Sequence, residues 1–239
     1  MNELLDLAIK AHGGMDQWKA VKSIAVDAII SGQLLEAKGF HEHLFTRIEI
    51  DTGTPRTTLT PYGGDGHRGV FTPNRIWIET LEGKLVEERH DPRAAFAGHV
   101  RATKWDELHR LYFLGYGSWN YLTTPFLLAQ PGFELEELAP HREDGEEWRV
   151  LRVGFPATVP THCDEQLLYF SAEGMLKRLD YKTDIAGGVA SHYPFDPKTI
   201  DGIVFPTRRR VVQRKPEGPK LTGITGVYLD FLRIDVRTR

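Results

Sequence analysis

Leu4, Leu5, Ala8, Ile9 and Ala11 recur at helical spacing, with Asn2 placed to cap the segment and Gly13 to end it, so the chain opens on a short amphipathic helix. Asp16 caps a further turn through Gln17 and Trp18. From Ser23 to Ile30 (SIAVDAII) branched residues predict a strand, and the pattern then becomes that of a meander. GFHEHLFTRIEID, PRTTLT, GHRGVF, RIWIETL and KLVEERH are strand-like runs. They are divided by Asp-Thr-Gly, Gly-Gly-Asp-Gly, Thr-Pro-Asn and Glu-Gly-Lys, all turn formers, with a tight hairpin expected over Leu81 to Lys84. Asp91-Pro92 through Phe96, closed by Gly98, predicts a short capped helix. After position 133 the strand-like runs resume as FELEEL, EEWRVLRVGF, EQLLYF, GMLKRLDYKT, GGVASHYPF, GIVFPTRRRVVQR and ITGVYLDFLRIDVR. The total is roughly a dozen strands around three helical pieces, without a strand-helix-strand rhythm, which predicts an antiparallel sheet.

Between the two strand blocks lies the segment Trp105 to Phe133, which holds 8 of the chain's 25 Phe, Trp and Tyr residues (12, 5 and 8). Trp105, Leu108, Leu111 and Tyr112 recur at helical spacing before Gly115, Gly117, Pro125 and Pro131 interrupt the pattern. An aromatic helical insert at about 104–131 in a β-protein can roof a cavity or plug it. Elsewhere alternation gives mixed faces. In EEWRVLRV, Trp148 and Val150 share a face with Arg152, and in IVFPTRRRVV the face bearing Ile203 and Phe205 also bears Thr207, Arg209 and Val211. A large sheet covered partly on both sides fits this better than a two-sheet sandwich. No internal repeat, linker or low-complexity segment interrupts residues 1–239, which favours one domain.

Composition narrows the function classes. Hydrophobic residues make up 41% and charged residues 26%, with a net charge of −3, so neither disorder nor attraction to nucleic acid is expected. The single cysteine, Cys163, forms no intrachain disulfide and fits a reducing compartment. MNELLDLAIKAHGG carries Glu3 and Asp6 and lacks a basic leader, and no run approaches the roughly 20 apolar residues of a spanning helix. A soluble, cytoplasmic chain without membrane insertion is the expectation from these signals.

Two stretches resemble the LolA/LolB-like bacterial lipoprotein-carrier superfamily. One is AHGGMDQWKAVKSIAVDAIISG, a helix ending in glycines, a tryptophan turn and entry into the first strand. The other is EQLLYFSAEGMLKRLDYKT followed by SHYPFDPKTIDGIVFPTRRRVV, where strand, turn and an Asp-Gly-apolar-Pro entry recur. The resemblance implies a mainly β (α+β) fold: a single curved antiparallel half-barrel, helices packed on its concave side and a hydrophobic ligand cavity between them. It also implies carriage of acyl chains or other apolar molecules without catalytic residues. The opening residues are not expected to act as a signal peptide or to supply a lipobox cysteine, and the mid-chain insert is unusually aromatic for that resemblance.

Several groups could carry chemistry. His41 and His43 of His41-Glu42-His43 would share one face of a strand and are the best candidates for a metal, with a residue such as His67, His90 or Glu79 needed as a third ligand; hydrogen-bonded or solvated histidines are the simpler reading. In Thr161-His162-Cys163-Asp164-Glu165 the two carboxylates would raise the thiol's pKa, against a nucleophilic role. Arg208-Arg209-Arg210 is either an edge-strand charge cluster or a site where Arg209 turns inward to meet a ligand head group or an internal carboxylate such as Asp180 or Asp230. No phosphate loop, dinucleotide fingerprint, nucleophile elbow or zinc-protease helix is present, so no cofactor is expected.

The sequence thus predicts a binding or carrier protein for a hydrophobic or amphipathic small molecule, with Trp77, Tyr112, Trp119, Tyr121, Tyr181, His192 and Arg209 as ligand contacts. The alternative is an enzyme acting on such a molecule in the same cavity with His43, His162 or His192 as acid-base or metal ligand. A third reading makes the aromatic insert a partner surface, with a homodimer as one outcome.

Overall fold

The structure is a computed structural model that describes residues 2–214 and 225–239. Asn2 caps α1 (Glu3–Ala11) by accepting from the Leu4 and Leu5 amides at 3.0 and 3.2 Å, a contact worth about 1 kcal/mol. The chain continues through α2 (Met15–Ala20), β1 (Val21–Ser31) and α3 (Gln33–Lys38). Five further strands follow: β2 (Leu44–Asp51), β3 (Arg56–Thr60), β4 (His67–Thr72), β5 (Arg75–Thr80) and β6 (Leu85–His90). A 3-10 turn at Ala94–Phe96 leads into α4 (Glu107–Thr123), and a second at Phe126–Ala129 leads out of it. The last seven strands are β7 (Glu134–Glu143), β8 (Glu146–Gly154), β9 (Glu165–Phe170), β10 (Leu176–Lys182), β11 (Val189–Ile200), β12 (Ile203–Gln213) and β13 (Thr225–Thr238). Ile224, expected at the start of the last strand, lies outside the described residues.

Among the described residues the thirteen strands form one antiparallel sheet, curved but not closed, in the order β6-β5-β4-β3-β2-β1-β13-β12-β11-β10-β9-β8-β7. The first half of the meander walks from the centre to one edge, and the second half walks from the opposite edge back to the centre. Because β6 and β7 are opposite edges, the segment joining them must cross the full width of the sheet. This is why the aromatic insert lies where it does. α4 packs on β2, β3, β4 and β5, α1 on β8 and the Phe126–Ala129 turn, and α3 on β13. All four helices contribute to one continuous apolar cluster with the inner face of the sheet. A smaller cluster of Trp148, Val150, Tyr169, Tyr193 and Val212 surrounds Arg178 on the other face, which accounts for the mixed alternation of β8.

Three expectations are corrected. GFHEHLFTRIEID does not enter the sheet at Gly39: α3 ends there, residues 40–43 are irregular, and β2 begins at Leu44. α3 itself escaped the sequence reading because six residues carry too little periodicity. The segment at Asp91 to Phe96 forms only a 3-10 turn. The aromatic insert is not an exposed patch: Trp105, Tyr112, Phe113, Tyr116, Trp119 and Phe126 are all buried against the sheet, so it offers no partner surface there.

Two glycines of α4 differ in what they face. A Cβ on Gly115 would lie 2.4 Å from the Cβ and Cγ of Phe71 on β4, whereas one on Gly117 would meet only the Tyr121 ring, at 3.7 Å and beyond. Gly115 therefore sets the distance of closest approach between helix and sheet, and its carbonyl accepts from the Thr57 hydroxyl at 2.9 Å. Gly115→Ala should cost about 1–3 kcal/mol through overpacking, while Gly117→Ala should raise stability by about 0.5–1 kcal/mol, the usual helical gain. Urea denaturation of the two variants checks this, and equal effects would contradict the packing.

Candidate functional site

α4 covers the β2 to β5 part of the concave side, and a cleft opens between it and β10 to β13. The walls are apolar: Ile30 from β1, Leu34 from α3, Phe113 and Leu114 from α4, and Val211, Val227 and Leu229 from β12 and β13. The cleft is narrow and spans about 730 Å³ including its open mouth. The side of α4 that faces it carries Gly117 and Ser118 where larger residues would close it.

Polar side chains gather on one side of this cleft. His162 sits between two tyrosines of α4, its Nδ1 2.8 Å from the Tyr116 hydroxyl and its Nε2 2.7 Å from that of Tyr121. The Tyr121 hydroxyl lies 3.0 Å from that of Tyr181 on β10, whose ring stacks on His162 with centroids 4.2 Å apart. The row continues from Tyr181 to Nδ1 of His192 and from Nε2 of His192 to the Arg209 guanidinium, both long contacts of 3.4 Å. Tyr121, Tyr181 and His162 line the cleft, while Tyr116, His192 and Arg209 lie behind them. His162 is placed by its loop, held on one side by Asn120, which donates to the Pro160 carbonyl at 2.7 Å, and on the other by Arg93, which donates to the Thr161 carbonyl at 2.8 Å.

Arg209 is inward, as its place in the alternation of β12 predicts, and is 2% exposed. The expected carboxylate is not there. Asp230 pairs with Arg210, and Asp180 lies on the other face of the sheet with Arg178, Ser191 and Arg214. Among the described residues Arg209 has no acidic partner: it donates to the Tyr121 carbonyl at 3.0 Å, touches His192, and leaves its Nε without an acceptor. Burial brings its pKa down to about 10, so it remains a cation at neutral pH.

The surroundings adapt to that charge. Burial holds His162 at about 3, helped by Arg93. Burial, then Arg209, then His162 hold His192 well below its ordinary value. His12, whose Nδ1 lies 2.8 Å from the Ala8 carbonyl, is lowered by burial and by Arg209. Burial raises Tyr121 to about 12.

The sequence-predicted contacts divide. Tyr121, Tyr181, His192 and Arg209 come together. Tyr112 lies on α4 against Phe71 and faces a separate groove of mixed polarity with Arg93 and Asp184. Trp119 is core, its indole donating to the Asp51 carbonyl at 2.8 Å. Trp77 is on the outer face between Arg56 and Arg75, its indole bonded to Glu79 at 2.8 Å, so it does not reach the cleft. No local pattern marks Tyr116, and the sequence singles out His162 only beside Cys163 and as a candidate acid-base group or metal ligand. His41 and His43 are exposed in the irregular segment before β2, not on a strand. Among the described residues no group of three His, Cys, Asp or Glu side chains could hold a metal ion. Cys163 is buried, its thiol donating to the Glu165 carbonyl at 2.9 Å, and burial raises its pKa.

The three lowered histidines set a pH dependence. In the folded chain they stay neutral below their ordinary 6.5, whereas in the unfolded chain each takes up a proton. Stability should therefore fall as the pH drops from 6.5 toward 3. Replacing His162 by Asn should make the slope between pH 6.5 and 5 shallower by up to about 1.4 kcal/mol per pH unit. Urea midpoints across that range measure it, and an unchanged slope would contradict a neutral His162.

No protein-family model and no curated protein matches the chain. Solved structures do. A LolA superfamily protein from Nitrosomonas europaea aligns over 99% of this chain and 93% of its own at 11% identity, with a TM-score of 0.54. A DUF1329 family protein from Desulfovibrio piger aligns over 98% and 91% at 14% identity, with a TM-score of 0.53. A domain assigned to outer membrane lipoprotein sorting from Vibrio parahaemolyticus aligns over 98% and 92% at 9% identity, with a TM-score of 0.55. These likenesses overturn the cytoplasmic expectation, since a fold shared with an outer membrane lipoprotein-sorting domain gives no ground for that placement. No helix among the described residues is long and apolar enough to cross a membrane. The curved sheet, its crossing helix and these alignments together make the fold that of the LolA-like half-barrel.

Proposed function

We propose that the protein, as a single domain, binds and carries a hydrophobic or amphipathic small molecule in the cleft between α4 and β10 to β13. The observation that carries this reading is a narrow, open cleft with mainly aliphatic walls and a few polar groups, Tyr121, Tyr181 and His162 among them, the usual composition of a small-molecule site. Affinity would come from burial at about 25 cal/mol per Å² of apolar surface removed from water, with the hydroxyls fixing orientation. The Nitrosomonas and Vibrio proteins, by their superfamily and sorting assignments, support a carrier role. Two observations weigh against the enzyme alternative. His162 has both ring nitrogens occupied by tyrosines and is a poor base with a pKa near 3, and His192 is sealed behind Tyr181.

Gly117→Leu tests the site without touching the core, because the space beside Gly117 is the cleft itself. The wild-type protein should retain an extractable apolar molecule in native mass spectrometry and, after delipidation, bind the neutral dye N-phenylnaphthylamine. Gly117→Leu should lose both while keeping its circular dichroism. A wild-type protein that binds neither, or a variant that binds as well as wild type, contradicts the proposal.

A further inference from the structure

The row from Arg209 to Tyr116 contains six groups joined by five contacts: Arg209, His192, Tyr181, Tyr121, His162 and Tyr116. Each contact uses one hydrogen. A guanidinium can only donate, so Nε2 of His192 must be the acceptor and its proton must sit on Nδ1, where it points to the Tyr181 oxygen. That settles the first two contacts. The remaining three are shared by Tyr181, Tyr121, His162 and Tyr116, each of which brings one hydrogen. One hydroxyl proton is therefore left over whichever way the row is filled. Because both nitrogens of His162 are engaged, the spare proton belongs to a tyrosine: Tyr116, which is sealed in the core, or Tyr121 or Tyr181, which line the cleft.

Charge points the same way. Arg209 is a buried cation with an unpartnered Nε, and its guanidinium carbon lies 5.1 Å from the centre of the Tyr121 ring. The charged side chains lining the cleft, among the described residues, are limited to Arg101 at its rim, which donates to Gln213 at 3.1 Å; no Asp or Glu lines it. A surplus donor beside an uncompensated cation is satisfied by a group that accepts only and carries negative charge.

We propose that the cleft selects an amphipathic anion, a chain-bearing carboxylate or other acidic head group, whose oxygen accepts from the Tyr181 hydroxyl in the field of Arg209 while its chain lies along the Phe113, Leu114, Val227 and Leu229 walls. This rests on the reading of the cleft as a ligand site and adds the class of ligand. Arg209 is a positioning residue here: it acts through His192 and through its charge, and the Tyr181 hydroxyl makes the contact.

Decanoate, decanol and decylammonium share one chain and differ in the head, and calorimetric titration of each at pH 7 reads the selection. Decanoate should bind about tenfold tighter than decanol, the scale of one hydrogen bond to a charged group, and decylammonium should bind weakest. Tyr181→Phe should remove most of the advantage of decanoate while leaving decanol within about twofold of its wild-type affinity. Arg209→Met should do the same if it folds, and Tyr181→Phe stands as the test if it does not. Decanol binding as tightly as decanoate overturns the proposal, as does a Tyr181→Phe effect equal on both. So does a loss on Arg101→Gln with none on Tyr181→Phe, since the head would then sit at the mouth. If N-phenylnaphthylamine binds while decanoate shows no advantage, only the anion selection fails; if neither binds, the cleft is not a ligand site.

Discussion

Arg209 is the constraint around which the concave side is organised. Withdrawing a guanidinium from water costs several kcal/mol even after the protein relaxes around it, and here no carboxylate offsets that cost among the described residues. What remains is a carbonyl, an imidazole and an aromatic face. Each must be an acceptor or electron-rich, and so His192 is forced to be neutral with a fixed tautomer. His192 then directs its Nδ1 hydrogen to the Tyr181 oxygen, which leaves one hydroxyl hydrogen more than the row's remaining contacts can use. A buried carboxylate beside Arg209 would have neutralised the cation, and its charge would then not favour an anionic head group over a neutral one.

Topology decides where that chemistry sits. The meander begins at the centre of the sheet and ends there, so its two free edges belong to β6 and β7 and only a crossing segment can join them. α4 makes the crossing, pressed onto β4 where Gly115 lets Phe71 in and standing away where Gly117 leaves room. The same helix supplies Tyr116 and Tyr121 to His162, so the helix that closes the half-barrel also carries the polar side of the cleft. The roof and the plug are one element acting differently along its length.

Much of the sheet was legible because antiparallel meanders advertise themselves through period-two alternation and turn residues at regular intervals. The inward turn of Arg209 followed from Ile203 and Phe205 on the same face. Its lack of a carboxylate did not, because pairing across a sheet depends on register and on which face each acid takes; Asp180 is near in strand order yet on the outer side. Trp77 was readable and misjudged: it alternates with Ile76 and Ile78 and shares its face with Arg75 and Glu79, which marks that face as the outer one. Tyr116 and His162 meet only through a loop clamped by Asn120 and Arg93, a long-range contact with no local pattern. α3 had a signal in its flanking Gly32 and Gly39, the second of which takes the left-handed conformation that ends a helix.

The most direct test of this account is the protonation of His192, since every later step depends on Arg209 having no choice but to donate to it. Nitrogen-15 spectra of the imidazoles at neutral pH distinguish the two neutral tautomers from the imidazolium. The account predicts a neutral His192 with its proton on Nδ1 and a bare Nε2. A proton on Nε2, or a doubly protonated ring, would contradict it.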